Sequence, residues 1–384
     1  MKKGWEYIAL SSVCKVQNGF AFNSKLFNES NNGLPLIRIR DIKRGYSLTY
    51  TDETCSDEFF VEDGDMLIGM DGDFNIGEWK GGHALLNQRV CKLIPSEKIL
   101  AKFIFYFIPE ALQRINDKTA FSTVKHLSSK QVNAILLPNL PLSEQQSIVD
   151  YLDAAFAKID AMKAHAEKAL NEAKTLFQAS LKEMLEPKEG WEKKALKDFA
   201  IDMYRGSGVK RDQVTEEGIS CVRYGEIYTK YNYHFNECDS HTLVEYVSSP
   251  KYFEHGDILF AITGESVEEI GKSIAYTGKE KCIAGGDIVV MKHNYEPRYI
   301  SYALSTPSAI KQKGHGKTKL KVVHTNIPSL KEIIIPIAPM NEQTIIADTL
   351  DSLKSKVDRL QANYEKISQE CDALKQAILR QVFE

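Results

Sequence analysis

The chain has 384 residues, of which 43% are hydrophobic and 26% charged, and its formal net charge is −3. It contains no apolar run of about 18 residues and no apolar N-terminal stretch of the secretory type, so we expect a cytoplasmic protein without a membrane span. The seven cysteines are scattered and form no CxxC pair. We therefore expect reduced side chains rather than disulfides, and no metal site.

The first segment, residues 1–141, contains short apolar runs such as LPLIRIRDI and DMLIGM, separated by glycine, asparagine and aspartate. This pattern is typical of short strands joined by turns. We therefore predict a first globular domain of the α/β or α+β class. Its acidic and basic residues nearly balance, so any polyanion would have to bind to a local patch.

Residues 142–186 contain neither glycine nor proline, and their apolar residues alternate at spacings of four and three. Such heptad spacing over several turns predicts a long coiled-coil helix. Pro187 and Gly190 then end it. The predicted seam of this helix consists of Ile148, Leu152, Ala155, Ile159, Met162, Ala166, Ala169, Ala173 and Leu176.

Residues 187–339 return to the strand-rich pattern, with VRYGEIY, DILFAI and DIVVMKH, and predict a second domain of the same class. Residues 340–384 again lack glycine and proline and predict a second long helix. The first seam is rich in alanine and the second in large side chains, which favours packing of the helices on each other; the alternative is that each helix folds back on its own domain. The second seam comprises Ile346, Leu350, Leu353, Val357, Leu360, Ile367, Leu374 and Ile378.

The whole chain is an internal repeat. Residues 141–186 align without a gap on residues 339–384, with 18 identical positions. Weaker matches precede both helices in the same order, since GWEYIAL returns as GWEKKAL and GDMLIG returns as GDILFA. Closely matched helices between diverged segments indicate one scaffold that presents two different binding surfaces.

In this organisation the chain resembles the specificity subunits of type I restriction-modification enzymes. The resemblance rests on the GW-E-x-x-x-L start of each half, the GD-[MI]-L strand, and two equivalent blocks, His126–Gln145 and His324–Gln343. It implies two target recognition domains alternating with two long helices. Because each helix must carry the chain from one domain to the other or back, we expect the helices to pair antiparallel and to hold the domains apart. The implied segments are the recognition domains 1–141 and 187–339 and the helices 142–186 and 340–384.

The resemblance also implies a function. Members of this family bind an asymmetric, bipartite site in duplex DNA and recruit two methyltransferase subunits, and restriction or translocase subunits join the complex for cleavage. Each half-site would contain a methylatable adenine. We expect no cofactor and no catalytic residue, because the chain has no [DNS]PP[FYW] tetrad and no GxGxxG loop. The alternatives are a coiled-coil scaffold that binds only proteins and a DNA-modifying enzyme that acts alone.

Basic and amide side chains in the two domains are the candidates for DNA contact. In the first domain they are Arg38, Arg40, Lys43, Arg44, Lys80, Gln88, Arg89, Lys118 and Lys125. In the second they are Lys210, Arg211, Arg223, Lys230, Lys272, Lys311, Lys313, Lys317, Lys319 and Lys321. The lysine run from 311 to 321 has no acid within it and suits phosphate contacts, although an ordinary solvated loop would look the same.

Two matched pairs have open interpretations. Arg38 and Arg223 lie in equivalent predicted strands and could hold phosphates or form ion pairs within their own domains. His126 and His324 could contact DNA or form structural hydrogen bonds. Base-reading residues should lie where the halves diverge, because the two surfaces should read different sequences. Those segments are 18–25, 71–80 and 87–89 in the first half and 205–211, 228–235 and 263–272 in the second.

Overall fold

A computed structural model of the protein describes residue 2 and residues 4–118, 125–267, 269–315 and 323–384. The chain forms two compact units, unit 1 (Met1–Ala166 with Glu365–Glu384) and unit 2 (Glu167–Tyr364). Both units mix helices and sheets, so the predicted fold class is confirmed. The boundaries of the four predicted segments stay a prediction. Lys317, Lys319, Lys321 and the side chain of Lys118 lie outside the described part of the chain.

Unit 1 is built from short strands and helices. The strands are β1 (Tyr7–Ala9), β2 (Cys14–Asn18), β3 (Leu34–Ile37), β4 (Tyr50–Thr51), β5 (Phe60–Val61), β6 (Met66–Gly69), β7 (Ile76–Glu78), β8 (Ala84–Leu86), β9 (Val90–Pro95) and β10 (Leu136–Pro138). The helices are α1 (Ile39–Ile42), α2 (Ala101–Lys118), α3 (Ser129–Asn133) and α4 (Leu142–Met184), whose C-terminal part belongs to unit 2.

Unit 2 contains the remaining elements of the described residues. The strands are β11 (Glu192–Ala195), β12 (Asp202–Arg205), β13 (Val214–Thr215), β14 (Ile219–Val222), β15 (His234–Phe235), β16 (Ser240–Thr242), β17 (Tyr252–Phe253), β18 (Ile258–Ala261), β19 (Thr263–Gly264), β20 (Ser273–Tyr276), β21 (Cys282–Ala284), β22 (Ile288–Lys292), β23 (Val323–His324) and β24 (Ile334–Ile337). The helices are α5 (Tyr224–Thr229), α6 (Pro297–Leu304), α7 (Pro307–Lys313), α8 (Ile327–Lys331) and α9 (Met340–Phe383), whose C-terminal part belongs to unit 1.

The sheets repeat from one unit to the other. In the described part of unit 1 the strand orders are β2-β9-β6-β7 and β4-β3-β8-β5, with β1 paired to β10. Unit 2 has β12-β22-β18-β20-β15 and β13-β16-β14-β21-β17, with β11 paired to β24. The parallel pair β3–β8 of unit 1 corresponds to the parallel pair β14–β21 of unit 2. The repeat seen in the sequence is therefore a repeat of topology.

The strands that follow the two GD motifs lie inside their sheets. All four residues of β6 and all four of β18 are buried, which explains their continuous apolar sequences, because a strand covered on both faces has no solvent side. In each unit the core extends from this sheet to the long helices. It includes Leu152 and Phe383 in unit 1, and Phe177 and Leu350 in unit 2.

The long helices pack on each other within each unit, as predicted. In unit 1 the contacting residue numbers rise along α4 while they fall along α9, so these helix segments are antiparallel. The contacts are Asp160 Oδ1 to Lys375 Nζ at 2.5 Å and Lys163 Nζ to Asp372 Oδ1 at 3.5 Å in unit 1, and Lys174 Nζ to Gln361 Oε1 at 2.8 Å in unit 2.

The predicted seam is wrong in one of its two heptad positions. Leu152 and Ile159 are buried as expected, but Met162 is 59% exposed and Leu176 is 63% exposed. The residues that directly follow Met162 and Leu176 in the chain are more buried than these two. The buried stripe therefore keeps the heptad position of Leu152 and Ile159, and its other heptad position lies one residue later than predicted. On α4 the stripe is Val149, Leu152, Phe156, Ile159, Lys163, Ala166, Leu170, Ala173 and Phe177. Adjacent residues on a helix are only about 100° apart, so a stripe two apolar residues wide leaves this choice open.

The same shift occurs on α9. Leu360 and Leu374 are exposed, whereas the residues that follow them, Gln361 and Lys375, face the partner helix. The predicted positions Leu350 and Val357 are buried, while Leu353, Ile367 and Ile378 are half-buried, as is Ile148 on α4; Ile346 is buried. Polar side chains are tolerated in this seam because they have partners. Lys375, for example, also lies 5.3 Å from the Phe156 ring.

A buried glutamine explains the repeated P-x-x-E-Q sequence at the start of each long helix. Gln145 accepts a hydrogen bond from the backbone of Leu100 at 2.9 Å and donates to the carbonyl of Leu140 at 2.8 Å. Gln343 does the same in unit 2, with Glu296 at 3.1 Å and Ala338 at 2.7 Å. Each amide therefore joins the beginning of a long helix to the segment preceding α2 or α6.

A repeated aspartate makes a second connection, about two helical turns further along each long helix. In unit 1, Asp153 accepts hydrogen bonds from Tyr106 and from Lys102, the latter at 2.6 Å. In unit 2, Asp351 accepts from Tyr302 at 2.6 Å. Arg298 and His234 also contact Asp351, at 2.7 and 2.9 Å. Burial opposes ionisation of Asp351, but these hydrogen bonds outweigh it and lower its pKa to about 2.

We expect Asp351→Asn to lower the free energy of unfolding of the protein by about 2 kcal/mol near neutral pH, because the neutral amide cannot replace the charged carboxylate that Arg298 and His234 share. Ionised Asp351 stabilises the fold fully above the unfolded pKa of about 3.9, and this stabilisation is lost as pH falls toward about 2. Chemical denaturation at several pH values measures both effects. Asp348→Asn is the matched control, because Asp348 also contacts Arg298 but is 62% exposed and should contribute under about 1 kcal/mol.

Candidate nucleic-acid interface

The matched arginines do not lie within strands. Arg38 and Arg223 directly follow β3 and β14 and precede α1 and α5, so their predicted strand position is wrong by one residue. The backbone N–H of each donates to an acidic side chain three residues later, Asp41 at 2.9 Å and Glu226 at 2.7 Å. These carboxylates satisfy N–H groups at the helix start, where the helix has no acceptor of its own.

The two arginine side chains differ in their surroundings. The Arg223 guanidinium lies 3.4 Å from Glu226, and its Nε is buried without a hydrogen-bond partner. This supports ion pairing within the domain for Arg223. Arg38 is exposed and makes no side-chain hydrogen bond within the described residues, so phosphate contact stays a prediction for it.

Basic residues of unit 1 converge on a groove of about 1190 Å³ between the sheets and the helix pair. The predicted residues Lys43, Arg44 and Lys80 line it, together with Lys102, Lys163 and Lys375. Lys163 and Lys375 come from α4 and α9, and the sequence analysis did not select them because the helices are acidic as a whole. The heptad spacing could have identified them, because each lysine lies four residues after a buried residue of its helix stripe.

The lysines of this groove fall into two classes. Lys102, Lys163 and Lys375 each form an ion pair with an aspartate of the long helices. Lys43 and Lys80 are exposed and have no ion-pair partner within the described residues. The nearby arginines also have partners. Arg44 forms an ion pair with Asp41 and lies over the Tyr46 ring, and Arg40 donates a hydrogen bond to the Thr49 hydroxyl at 3.3 Å. Lys43 and Lys80 are therefore the lysines of the groove without an ion pair among the described residues, and the exposed carboxylate of Glu78 also lines it.

If the groove holds a DNA backbone, Lys43→Ala with Lys80→Ala should weaken binding to all duplex sequences and flatten the slope of log K against log salt by up to roughly two units, about 0.9 per lost phosphate contact. Fluorescence anisotropy with a labelled duplex over a salt series measures this. Lys15→Ala with Lys98→Ala is the matched control, because both lysines are exposed in unit 1 outside the groove. An equal slope change in the control pair would remove the groove from the interface.

In unit 2 the structure corrects two predicted DNA contacts. Lys313 is 6% exposed, and its ammonium donates to Ser273 at 3.0 Å. Burial lowers the pKa of Lys313 to about 7. The ammonium of Lys272 donates to the carbonyl of Tyr231 at 2.9 Å, and burial lowers the pKa of this lysine too. The predicted DNA contacts are therefore wrong for both lysines, because each ammonium group already has a hydrogen-bond acceptor within unit 2.

The other basic candidates of unit 2 are on the surface. Lys230 pairs with Asp239 at 2.8 Å. Lys210, Arg211 and Lys311 are exposed. Their DNA contacts stay predictions, as do those of Lys125, Gln88 and the residues outside the described part of the chain.

Four backbone segments meet at one sheet edge in unit 1, and we call this the divergent edge. The N–H of Gly19 donates to Val90, that of Met70 to Arg89, and that of Leu127 to Met70. The distances are 3.0, 2.8 and 2.7 Å. The edge therefore gathers Asn18, Asp71, Arg89 and His126, which come from separate parts of the sequence.

The same edge exists in unit 2 with the same hydrogen bonds. The N–H of Gly206 donates to Ile288, that of Ile262 to Asp287, and that of Thr325 to Ile262, at 2.8, 3.0 and 2.9 Å. The side chains at equivalent positions differ between the units. They are Asn18, Asp71 and Arg89 in unit 1, and Arg205, Thr263 and Asp287 in unit 2.

The two equivalent histidines are the side chains that both edges share. His126 contacts the Asp71 carboxylate at 2.6 Å and the Arg89 guanidinium at 3.0 Å. His324 contacts the Thr263 hydroxyl at 3.1 Å. A structural hydrogen-bonding role thus has direct support for both histidines.

Within the described residues, no group of three or more His, Cys, Asp or Glu side chains is arranged to hold a metal ion. No helix in the described ranges is long and apolar enough to cross a membrane. All seven cysteines are free thiols.

Residues 2–172 and 188–369 each match the family described as the type I restriction modification DNA specificity domain. The chain belongs to this family. The two regions of this chain that match the family coincide with the two halves of the internal repeat. Each half is therefore one copy of the specificity domain.

Named relatives agree with this membership. The specificity subunit of the type I restriction enzyme EcoBI from Escherichia coli is 42% identical over 178 residues, which are 46% of this chain and 38% of that relative. The specificity subunit of MjaVIII from Methanocaldococcus jannaschii is 22% identical over 94% of this chain and 89% of its own length. The chain thus spans well under half the length of the first relative and most of the second.

Solved structures share the fold of this specificity-family chain. One, from work on complex assembly and conformational transition of the type I R-M system, has a TM-score of 0.70 at 19% identity and covers 100% of this chain and 98% of that one. The HsdS subunit from Thermoanaerobacter tengcongensis has a TM-score of 0.53 at 17% identity over 100% and 97% of the two chains. At these identities the likeness concerns the fold.

Proposed function

We propose that this chain is the non-catalytic subunit that chooses the DNA site of a type I restriction-modification complex. It binds duplex DNA through two unlike half-sites, one for each unit. The observation that carries this proposal is the divergent edge. One backbone framework occurs twice with different exposed side chains, which is what two readers of different base sequences need.

The long helices supply the surface for protein partners. Met162 and Leu374 are exposed apolar residues of unit 1, and the repeat makes Leu360 and Leu176 their equivalents in unit 2. Each lies one position before the seam on its helix, and in an antiparallel pair such positions point to the same side. Each unit therefore presents one copy of the same apolar patch, which fits one methyltransferase subunit per unit. Restriction or translocase subunits would then join that assembly.

We expect the purified chain to transfer no methyl groups and to support transfer only when its methyltransferase subunit is added. The reason is that the sequence lacks both the catalytic tetrad and the cofactor loop of an adenine methyltransferase. Incorporation of radiolabelled methyl groups from S-adenosylmethionine into duplex DNA measures this directly. Incorporation by the chain alone would support the reading as an independent enzyme instead.

A matched variant tests the patch. Met162→Glu with Leu360→Glu should weaken assembly with the methyltransferase subunit, because each charge would be buried at the contact. Melting temperature should stay unchanged, since both side chains are exposed in the chain by itself. Full assembly, measured by analytical ultracentrifugation, would place the protein partner elsewhere.

A further inference from the structure

The divergent edge carries one arginine in each unit, but the two arginines come from different strands. In unit 1 it is Arg89, in the turn before β9; in unit 2 it is Arg205, the last residue of β12. The position equivalent to Arg89 is Asp287, and the position equivalent to Arg205 is Asn18. Each divergent edge thus has one arginine, but the two arginines occupy positions that are not equivalent in the repeat.

Each arginine is oriented by a carboxylate of its own unit. Arg89 Nε lies 3.7 Å from Asp71, and its Nη1 lies 3.0 Å from His126. Arg205 Nη2 lies 2.5 Å from Asp287. A guanidinium has five N–H donors, so these contacts hold each side chain near the edge and leave donors free. Both side chains are more than half exposed, at 52% and 61%.

The backbone at Arg89 is also unusual. Its φ is +71°, in the left-handed region that side-chain-bearing residues rarely adopt. The turn is closed by the N–H of Val90, which donates to the carbonyl of Asn87 at 3.2 Å. Conformations of this kind persist where the surroundings determine them and are concentrated at binding sites.

On the basis of the proposed function, we infer that Arg89 and Arg205 are base-reading residues, each of which contacts a guanine in the half-site of its unit. The guanidinium fork matches the O6 and N7 acceptors of guanine in the major groove. A phosphate is the poorer ligand here, because Asp71 and Asp287 would repel it at close range. A phosphate contact would also be expected at a position shared by the two units, and these positions are not shared.

The test uses the full chain with its methyltransferase subunits in a host, read by methylome sequencing. Arg89→Ala should relax one base position in one half-site, so that preference for guanine there falls by about tenfold or more. Arg205→Ala should do the same in the other half-site only. Arg89→Gln should shift the preference at that position toward adenine, because the glutamine amide pairs with adenine N6 and N7. Lys15→Ala, also exposed in unit 1, should change neither motif.

The outcomes separate this inference from the function on which it rests. Absence of a bipartite methylated motif with the unchanged chain would overturn the proposed function itself. A normal motif in all variants, with uniformly lower methylation in Arg89→Ala, would show a phosphate contact and overturn base reading. Should Arg89→Ala fail to fold, as judged by its melting curve, Arg89→Gln carries the test, and an unchanged motif in it would likewise overturn base reading.

Discussion

Replacing residues 190–330 with the same region of a relative is expected to change one half-site of the recognised DNA and to leave the other unchanged. This whole segment belongs to unit 2, whose own core includes Phe260 and Met291. The divergent edge of unit 1 is built entirely from residues 18–127. Methylome sequencing of cells that carry the hybrid chain identifies both half-sites in one measurement.

The reciprocal exchange is the control. Replacing residues 4–130 with the equivalent region of the same relative should change the other half-site. If either hybrid alters both half-sites, the two units influence each other's base reading. The modular account would then fail, even though the chain would still bind DNA.

Insertion of one heptad into each long helix is expected to abolish full methylation at the original site. The two helices α4 and α9 run without interruption from one unit into the other, so an insertion in both lengthens the connection between the units. Seven residues add roughly 10 Å of helix, which corresponds to about three base pairs of DNA. Three base pairs turn the duplex by about 100°, whereas a heptad rotates the helix seam by only ~20°.

The lengthened variant should therefore bind a longer-spaced site poorly or bind no site. Its circular dichroism spectrum and melting curve should resemble those of the unchanged chain, because a whole heptad keeps the seam in register. Insertion of seven residues into α4 alone is the comparison, since it breaks that register and should lower the melting temperature. Full methylation at the original spacer in the double insertion would refute the role of the helices as a ruler.

The long-range organisation of this chain could be predicted from sequence because the signals for it are repeated and periodic. Glycine-free, proline-free heptads predicted α4 and α9, and the two GD motifs predicted the central strands β6 and β18. The seam phase could not be predicted, since Leu176 and Phe177 are both apolar neighbours. Packing in the core of unit 2, where the Phe177 ring lies 5.7 Å from the Tyr233 ring, places Phe177 in the interior.

Individual site residues were harder to predict, because their roles depend on contacts between distant segments. Lys313 lies in a basic, polar stretch but points into the core toward Ser273. Arg223 pairs with Glu226, only three residues away. The pair forms because the short helix α5 begins between them, and the sequence pattern predicts this helix only weakly. The divergent edge combines four segments that are distant in sequence. A sequence pattern can identify such segments, but it does not show that they lie next to each other in the fold.

The most direct test of the central account is methylome sequencing of the host with and without this gene. We expect deletion to remove methylated adenine from one asymmetric motif made of two unlike parts around an unread spacer. Restoring the gene should bring that motif back in full. An unchanged methylome, or the loss of a single continuous motif, would contradict the assignment of two different DNA-reading surfaces to the two units.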